Sequence, residues 1–201
     1  MFADKLQKDV AQFKKDENIF YTLLHQQRSV TMLSEEHKII FGNPNAKFEI
    51  TFVSNPYCHP CAEMHHKLKS LLKETKEHLK LNIIYTVSSN PNEPKNKIIS
   101  SLITLYATKG QNVAQQAMTE WYSGQFKNTG EWIKKYSNLN ENIALKTMQQ
   151  QRLWCDENEI AHTPALFLNN HLYLSEYTLN DLKHFIHLSG KKNYVPAVSS
   201  A

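Results

Sequence analysis

The stretch "KFEITFVSNPYCHPCAEM", residues 47–64, places two of the chain's three cysteines directly after an apolar run. Residues 47–54 are rich in aromatic and β-branched side chains and predict a buried strand. From Cys58 onward apolar residues recur at helical intervals, at Met64, Leu68, Leu71, Leu72 and Leu79. Residues 79–89 then predict a second strand. Strand, helix and strand in this order predict a βαβ unit, with both cysteines at the start of its helix.

The segment before this unit has a different pattern. Residues 5–27 carry apolar side chains at helical intervals, with a break near Asp16 and Asn18. This pattern predicts two short helices. We therefore assign residues 1–41 to an N-terminal helical lead-in, which ends before the turn-forming "GNPNA" at 42–46.

After the βαβ unit, helical periodicity returns and predicts an inserted helical subdomain at about 92–158, whose last helix spans about 141–158. Two short apolar runs follow, and Asn169 and Asn170 between them suit a tight hairpin turn. An amphipathic helix then ends at Gly190. The predicted organisation is an α/β domain at 42–190 that carries this insertion, followed by a C-terminal tail at 191–201.

Composition is that of an ordinary globular protein, with 41% hydrophobic and 21% charged residues among 201. The net charge of +4 comes from lysines spread along helical segments among glutamates, and no nucleic-acid-binding module accompanies it, so we predict no nucleic-acid partner. No apolar run reaches the roughly 18 residues of a membrane span. The first twenty residues carry charges where a signal peptide is apolar, so we expect a soluble chain without an export signal.

Cys58 and Cys61 stand three positions apart at a strand-to-helix junction, where two sulfurs can approach closely enough to join. The start of a helix presents unpaired N–H groups and the positive end of its dipole, which stabilise a thiolate. Such settings lower a cysteine pKa from about 8.5 into the range of roughly 3.5 to 7.5. The sequence thus predicts Cys58 as the nucleophile and Cys61, one turn along the helix and more buried, as the resolving thiol.

The two residues between the cysteines modify this chemistry. His59, when protonated, adds positive charge beside the thiolate, which stabilises the reduced form and makes the disulfide more oxidising. Pro60 restricts the backbone at the helix start, where its missing N–H costs nothing. We therefore include His59 and Pro60 in the predicted catalytic motif.

Two other interpretations of the cysteine pair stay open at this point. A structural zinc site needs four ligands, and His65 lies one helical turn beyond Cys61, but no second cysteine pair exists. The cysteines can also be inert core thiols, which is how we interpret Cys155.

His65 and His66 are expected to be partly exposed. Trp121, Trp132, Trp154, Tyr122 and Tyr136 are expected in the core of the helical subdomain. We predict neither a metal nor a cofactor.

With "CHPC" at a helix start and "HTPALFLNNHLYL" at 162–174, the chain resembles the thioredoxin superfamily. This resemblance implies the thioredoxin fold, a central mixed sheet flanked by helices. It also implies a cis peptide bond between Thr163 and Pro164, next to the cysteine pair. The Thr163 backbone would then pair with an extended substrate segment.

The long helical insertion is similar to that of DsbA-like oxidoreductases. More narrowly, "FKKDENIFYTLLHQQRSV", "FGNPNAKFEITFVSNPYCHPCAEMHHKL" and "WCDENEIAHTPALFLNN" resemble the thioredoxin-like domain fused to bacterial vitamin K epoxide reductase homologues. The resemblance covers about residues 13–186. It implies a disulfide donor to protein cysteine pairs in the periplasm or another extracytoplasmic compartment, reoxidised by a membrane partner. This chain would be an excised domain or a stand-alone relative.

Two features depart from the resembled families. Thioredoxin and DsbA carry an acidic residue shortly before the first cysteine, whereas the matching position here is Phe52, and Glu49 is out of register. The dipeptide His59-Pro60 reverses the Pro-His of DsbA. The direction of electron flow therefore stays open, with a reductase or isomerase using the same residues as one alternative. A non-catalytic zinc-holding or client-binding module is the other.

Overall fold

The computed structural model describes residues 2–126, 128–136 and 142–191. Within these residues the helices are α1 (Phe2–Phe13), α2 (Glu17–His25), α3 (His59–Thr75), α4 (Pro94–Lys109), α5 (Gln111–Tyr122), α6 (Thr129–Tyr136), α7 (Asn142–Glu157) and α8 (Leu179–Lys191). The strands are β1 (Ile39–Gly42), β2 (Phe48–Ser54), β3 (Leu79–Tyr85), β4 (Ala165–Leu168) and β5 (His171–Leu172). Short 3-10 turns span Glu35–His37 and Lys76–His78.

The strands form one mixed sheet in the order β1-β3-β2-β4-β5. β2 and β3 are parallel, as the βαβ pattern predicts, and every other neighbouring pair is antiparallel. Beyond β5, a bridge between Ser29 and His171 adds one more backbone pairing at the edge. The predicted fold class, a central mixed sheet flanked by helices, is confirmed.

Each strand sends alternate side chains to opposite faces of the sheet. On one face, Ile50 and Phe52 join a large core with Leu68 of α3 and Phe185 of α8. On the other face, a smaller cluster brings together Val53, Ile84 and Phe167 with Trp154 and Cys155 of α7, together with Val30 and Leu33 from the segment after α2. The sheet is therefore covered on both faces near the carboxyl end of β2, where the cysteine pair follows.

The lead-in contains the two predicted helices, and the Asp16 carboxylate caps α2 by accepting from the backbone N–H groups of Asn18 and Ile19. Strand β1 was not predicted, because four residues give too short a pattern and its conformation comes from pairing with β3. β1 ends at Gly42, whose φ of 83° favours glycine. A Cβ there would lie 2.4 Å from the Leu79 carbonyl oxygen. The sheet thus begins within residues 1–41, the segment that the sequence pattern predicts to be a helical lead-in.

Helices α4 to α7 lie within the segment predicted to be a helical insertion. Residue 141, the expected start of its last helix, lies outside the described residues. Trp132 is fully buried in the large core, as expected. The expectation for Trp154 was wrong: it packs on the sheet with Phe167, whereas Ala144 and Met148 at the other end of α7 face the insertion. α7 therefore joins the insertion to the sheet.

The C-terminal part contains the predicted hairpin. Asn169 and Asn170 both have positive φ, 46° and 68°, which is the backbone of a tight two-residue turn. β5 is shorter than expected, and α8 continues through Gly190 to Lys191. The predicted tail at 191–201 otherwise lies outside the described residues. No helix of the described part is long and apolar enough to cross a membrane.

Candidate active site

Cys58 sits in the turn that joins β2 to α3. The Asn55 carbonyl accepts from the Cys58 N–H at 3.0 Å, and the Asn55 side chain accepts from the Tyr57 N–H at 3.0 Å. These two bonds close the turn in which Pro56 supplies a preset φ. α3 begins at the next residue, His59, so Cys58 lies at the N-terminal end of that helix, as predicted.

The two thiols have different surroundings, although all three cysteines of the chain are free. Cys58 is partly exposed, whereas Cys61 is completely buried, which confirms the expected order of burial. Burial first, and hydrogen bonding with the Cys58 side chain second, raise the pKa of Cys61 to about 11. Cys61 is therefore a protonated thiol at neutral pH, and Cys58 is the sulfur that a second protein can reach.

Two backbone groups contact the Cys58 sulfur. The Cys61 N–H donates to Cys58 Sγ at 3.3 Å, and the Cys58 thiol donates to the Thr163 carbonyl oxygen at 3.4 Å. A hydrogen bond from an N–H stabilises a thiolate more than a thiol. The first contact brings a backbone donor to the Cys58 sulfur, while the second ties the cysteine to a loop 105 residues away.

That loop lies between α7 and β4. The peptide bond between Thr163 and Pro164 is cis, at the position where the resemblance to thioredoxin-like proteins implies one. Ala165 then enters β4, which pairs with β2 at Val53. The pairing of β4 with β2 therefore places the Thr163 backbone beside the sulfur of Cys58.

His59 and Pro60 lie on the surface in the first turn of α3. His59 Nε2 is 3.5 Å from Glu63 Oε1, and 86% of the His59 side chain is exposed. A positive charge on His59 would therefore be paired with a carboxylate one turn away and screened by water. The contribution of His59 to thiolate stabilisation stays a prediction.

The position of the absent acid is occupied by a core residue, since Phe52 is fully buried. The Glu49 carboxylate lies nearer the start of β2, within 3.4 Å of the ammonium groups of both Lys38 and Lys80. Beside the cysteine pair the buried polar side chains are instead Tyr85 and Tyr122, whose pKa values burial raises well above their usual range. Both hydroxyls stay protonated.

His65 was expected to be partly exposed, and this expectation was wrong because its ring lies between α3 and the insertion. The residue is 4% exposed, and its Nε2 is 3.1 Å from the Thr119 hydroxyl of α5. Its ring packs on Tyr122 with the centroids 5.1 Å apart. Burial, with smaller contributions from the charges of His66 and Lys69, lowers the pKa of His65 to about 3.

This burial predicts a loss of stability in acid. Below the ordinary histidine pKa of 6.5, the unfolded chain binds a proton at His65 that the folded chain does not bind. The free energy of unfolding should therefore fall as pH drops from 6.5 towards 3, by at most about 1.4 kcal/mol per pH unit from this residue. Urea unfolding at pH 7, 6, 5 and 4 measures the slope.

His65→Gln keeps a polar group for Thr119 but does not titrate, so its slope should be shallower than that of the wild type. The exposed neighbour supplies the control, because His66→Gln should leave most of the slope in place. Equal slopes for His65→Gln and the wild type would contradict the assignment.

Cys155 is a core thiol, as predicted. It is buried, and burial raises its pKa to about 12. Its sulfur lies 3.9 Å from the Tyr85 carbonyl oxygen, on the sheet face that Trp154 covers. Across the described residues, no three His, Cys, Asp or Glu side chains are grouped so that they could hold a metal ion.

A groove of about 830 Å³ begins at the cis-proline loop. It runs between α3 and the segment from β5 to the start of α8, and its lining includes Met64, Lys67, His162, Pro164, Leu172 and Tyr177. Pro164 is shared between this groove and the loop that contacts Cys58. The groove therefore adjoins the loop whose Thr163 carbonyl contacts the Cys58 sulfur.

Motifs identified Cys58, Cys61, Thr163 and Pro164 as candidates, and the structure brings all four together. The motifs did not indicate that His65, Ser54 and Tyr122 lie near the cysteine pair. Ser54 and Tyr122 share a hydrogen bond across 68 residues. A local pattern contains no signal for such a contact, although the burial of His65 could have been suspected from its spacing with Cys61 and Leu68 along α3.

Comparison with known proteins agrees with this architecture. A family model described as "Thioredoxin" matches residues 34–187. No curated protein sequence matches the chain. Oxidised BdbD from Bacillus subtilis is a similar structure, with 11% identity, a TM-score of 0.60, and coverage of 83% of this chain and 99% of that one.

Two further solved structures share the fold. The catalytic domain of ScsC from Proteus mirabilis has 14% identity and a TM-score of 0.62, covering 79% of this chain and 92% of its own. A periplasmic thioredoxin-like protein from Salmonella enterica serovar Typhimurium has 12% identity and a TM-score of 0.62, covering 88% of this chain and 99% of its own. At these identities the likeness is one of fold.

Proposed function

Since the chain belongs to the thioredoxin family, we propose that it is a thiol-disulfide oxidoreductase in which Cys58 and Cys61 exchange a disulfide with cysteine pairs of other proteins. The observation that carries the proposal is the setting of Cys58. One partly exposed sulfur lies at a helix N-terminus with the Cys61 N–H 3.3 Å away, next to a buried second thiol. This arrangement suits an attacking or leaving thiolate.

The proposed reaction is written in the donor direction. A client thiolate attacks Cys58 Sγ of the Cys58–Cys61 disulfide, so a mixed disulfide forms and Cys61 leaves as a thiolate that takes up a proton. The second client thiolate attacks the client sulfur of the mixed disulfide and releases Cys58 as a thiolate. The client loses two electrons and the cysteine pair gains them. In the reverse direction Cys58 attacks a client disulfide, and Cys61 resolves the mixed disulfide.

The groove and the cis-proline loop support a polypeptide substrate. An extended segment can pair with exposed backbone groups by adding a strand-like contact. In this proposal the Thr163 backbone supplies that contact and the groove beyond Pro164 accommodates neighbouring side chains. This would hold the client sulfur in line with Cys58.

We further propose that the protein acts as a disulfide donor outside the cytoplasm and passes its electrons to a membrane partner of the vitamin K epoxide reductase type. The sequence resemblance to the domain fused to such reductases supports this, and one solved structure of the same fold is described as periplasmic. A reductase or isomerase would use the same residues. The two directions differ in redox potential.

A zinc-holding or client-binding module is the proposal from another functional class. His65 is the ligand that this interpretation would need, and its Nε2 is instead 3.1 Å from the Thr119 hydroxyl. Among the described residues no third ligand joins the two cysteines. These contacts favour the oxidoreductase.

Trapping of clients tests the proposed function. Cys61→Ser lacks the resolving thiol, so clients should accumulate as mixed disulfides on Cys58. Non-reducing electrophoresis followed by mass spectrometry detects these adducts and identifies the cysteine that carries them.

Two variants serve as controls for this experiment. Cys155→Ser should trap nothing, because it keeps Cys61 to resolve the mixed disulfide and removes only a thiol that is buried on the other face of the sheet. The double variant Cys58→Ser and Cys61→Ser should lose the adducts. A Cys61→Ser protein that traps no client would remove the proposal.

A further inference from the structure

The four residues before Cys58 each contact a side chain of the helical insertion. Ser54 and Asn55 contact Tyr122 of α5, and Pro56 contacts Trp121 of the same helix. The hydroxyl of Tyr57 hydrogen-bonds that of Thr129 at the start of α6. The insertion therefore holds the entire segment that leads from β2 to the nucleophile, which we call the approach segment, residues 54–57.

Trp121 contacts the two residues immediately before Cys58. Its indole N–H donates to the Pro56 carbonyl oxygen at 2.7 Å, and its ring meets the Tyr57 ring edge-on with the centroids 5.4 Å apart. Pro56 is buried, and it occupies the turn that the Asn55 carbonyl closes with the Cys58 N–H. A buried main-chain carbonyl is costly to leave unpaired, so this bond restrains the turn.

Tyr122 holds the other end of the approach segment. Its hydroxyl is 2.7 Å from the Ser54 hydroxyl and donates to the Asn55 carbonyl oxygen at 3.4 Å. Ser54 is the last residue of β2 and is fully buried. Burial keeps the Tyr122 hydroxyl protonated, because it raises the pKa well above the usual range. The hydroxyl can therefore remain a donor at every pH at which the cysteines react.

We propose that Trp121 and Tyr122 are positioning residues for Cys58, which fix the approach segment so that the sulfur stays beside the Cys61 N–H and the Thr163 backbone. This inference rests on the proposed oxidoreductase function and assigns a role to the insertion in it. Neither side chain takes part in a bond-making step. Their effect passes through the turn, since stabilisation of a thiolate by an N–H donor weakens as the donor and the sulfur move apart.

The insertion supplies matched controls. Trp132 also donates its indole N–H to a main-chain carbonyl, that of Ala117 at 3.0 Å, but this bond lies within the insertion. The Tyr136 hydroxyl likewise donates to the Glu120 carboxylate, at 2.6 Å. A purely structural role predicts the larger effect at Trp132, which is fully buried, whereas Trp121 is half-buried.

The test is the pH profile of Cys58 alkylation by iodoacetamide in the reduced 201-residue chain, followed by mass spectrometry of the Cys58 peptide. Trp121→Phe keeps the ring contact but loses the donor, and should move the profile to higher pH and slow alkylation at pH 6 by up to about fivefold, the limit set by the free energy of one hydrogen bond. Tyr122→Phe should also move the profile to higher pH and should slow alkylation at pH 6 by about threefold. Thermal unfolding of each variant checks that it is folded.

Trp132→Phe and Tyr136→Phe should stay within about twofold of the wild type in alkylation, even where their thermal stability falls. Profiles of Trp121→Phe and Tyr122→Phe that overlay the wild type would overturn the positioning role. So would equal shifts in the two control variants. The wild-type profile tests the oxidoreductase separately, because a midpoint near that of a free thiol would overturn the proposed function whatever the variants do.

Discussion

Replacing Cys58 by serine should abolish disulfide exchange, with a fall of about a thousandfold or more to the rate without enzyme. A serine oxygen cannot form the mixed disulfide, and no other described thiol can take over. Cys61 is completely buried and has its pKa raised to about 11, so it is neither accessible nor ionised at neutral pH. Oxidation of a reduced peptide with two cysteines, followed by mass spectrometry, measures the rate.

Cys155→Ser is the matched control for this prediction. It removes the third thiol, which lies on the other face of the sheet, and should keep the wild-type rate within about twofold. A Cys58→Ser protein that keeps about a tenth of the activity or more would place the reaction at another residue.

Replacing Gln151 by leucine should have the largest effect on stability. Gln151 is fully buried in α7, where its Oε1 accepts from the Tyr85 N–H and its Nε2 donates to the His37 carbonyl, both at 2.9 Å. Leucine would leave both main-chain groups unpaired, at a cost of about 1–3 kcal/mol each. For a chain of this size the unfolding temperature should fall by about 10 °C. Thermal unfolding followed by circular dichroism measures it.

Gln149, two positions earlier on α7, is exposed and provides the control. Gln149→Leu should change the free energy of unfolding by no more than about 0.5 kcal/mol. If Gln151→Leu unfolded within about 2 °C of the wild type, the two hydrogen bonds from Gln151 to Tyr85 and His37 would not contribute to stability as described.

The parts of the fold that the sequence predicts correctly are those with long periodic patterns. The βαβ unit around Cys58 and the helices of the insertion have many apolar residues at regular spacing, so local pattern and tertiary packing agree. Strand β1 was missed because its four residues become a strand through pairing with β3. Trp154 was misplaced since periodicity does not say which of two neighbouring cores an apolar face meets.

The candidate site divides in the same way. Cys58, Cys61 and the Thr163–Pro164 loop follow from short motifs whose chemistry is local. The contacts of Trp121 and Tyr122 with the approach segment join residues 64 to 68 positions apart, and a single sequence contains no record of such pairs. The spacing of His65 with Cys61 and Leu68 indicates the buried face of α3, but its contact with Thr119 depends on α5 packing against that face.

The redox equilibrium of the 201-residue chain with glutathione tests the central claim most directly. We expect Cys58 and Cys61 to form a disulfide with each other while Cys155 stays a free thiol. A disulfide donor should have a reduction potential nearer to the about −120 mV of DsbA than to the about −270 mV of thioredoxin. A reduction potential near that of thioredoxin would contradict the proposed role as a disulfide donor. If Cys58 and Cys61 formed no disulfide at any glutathione ratio, the proposed oxidoreductase function itself would be contradicted.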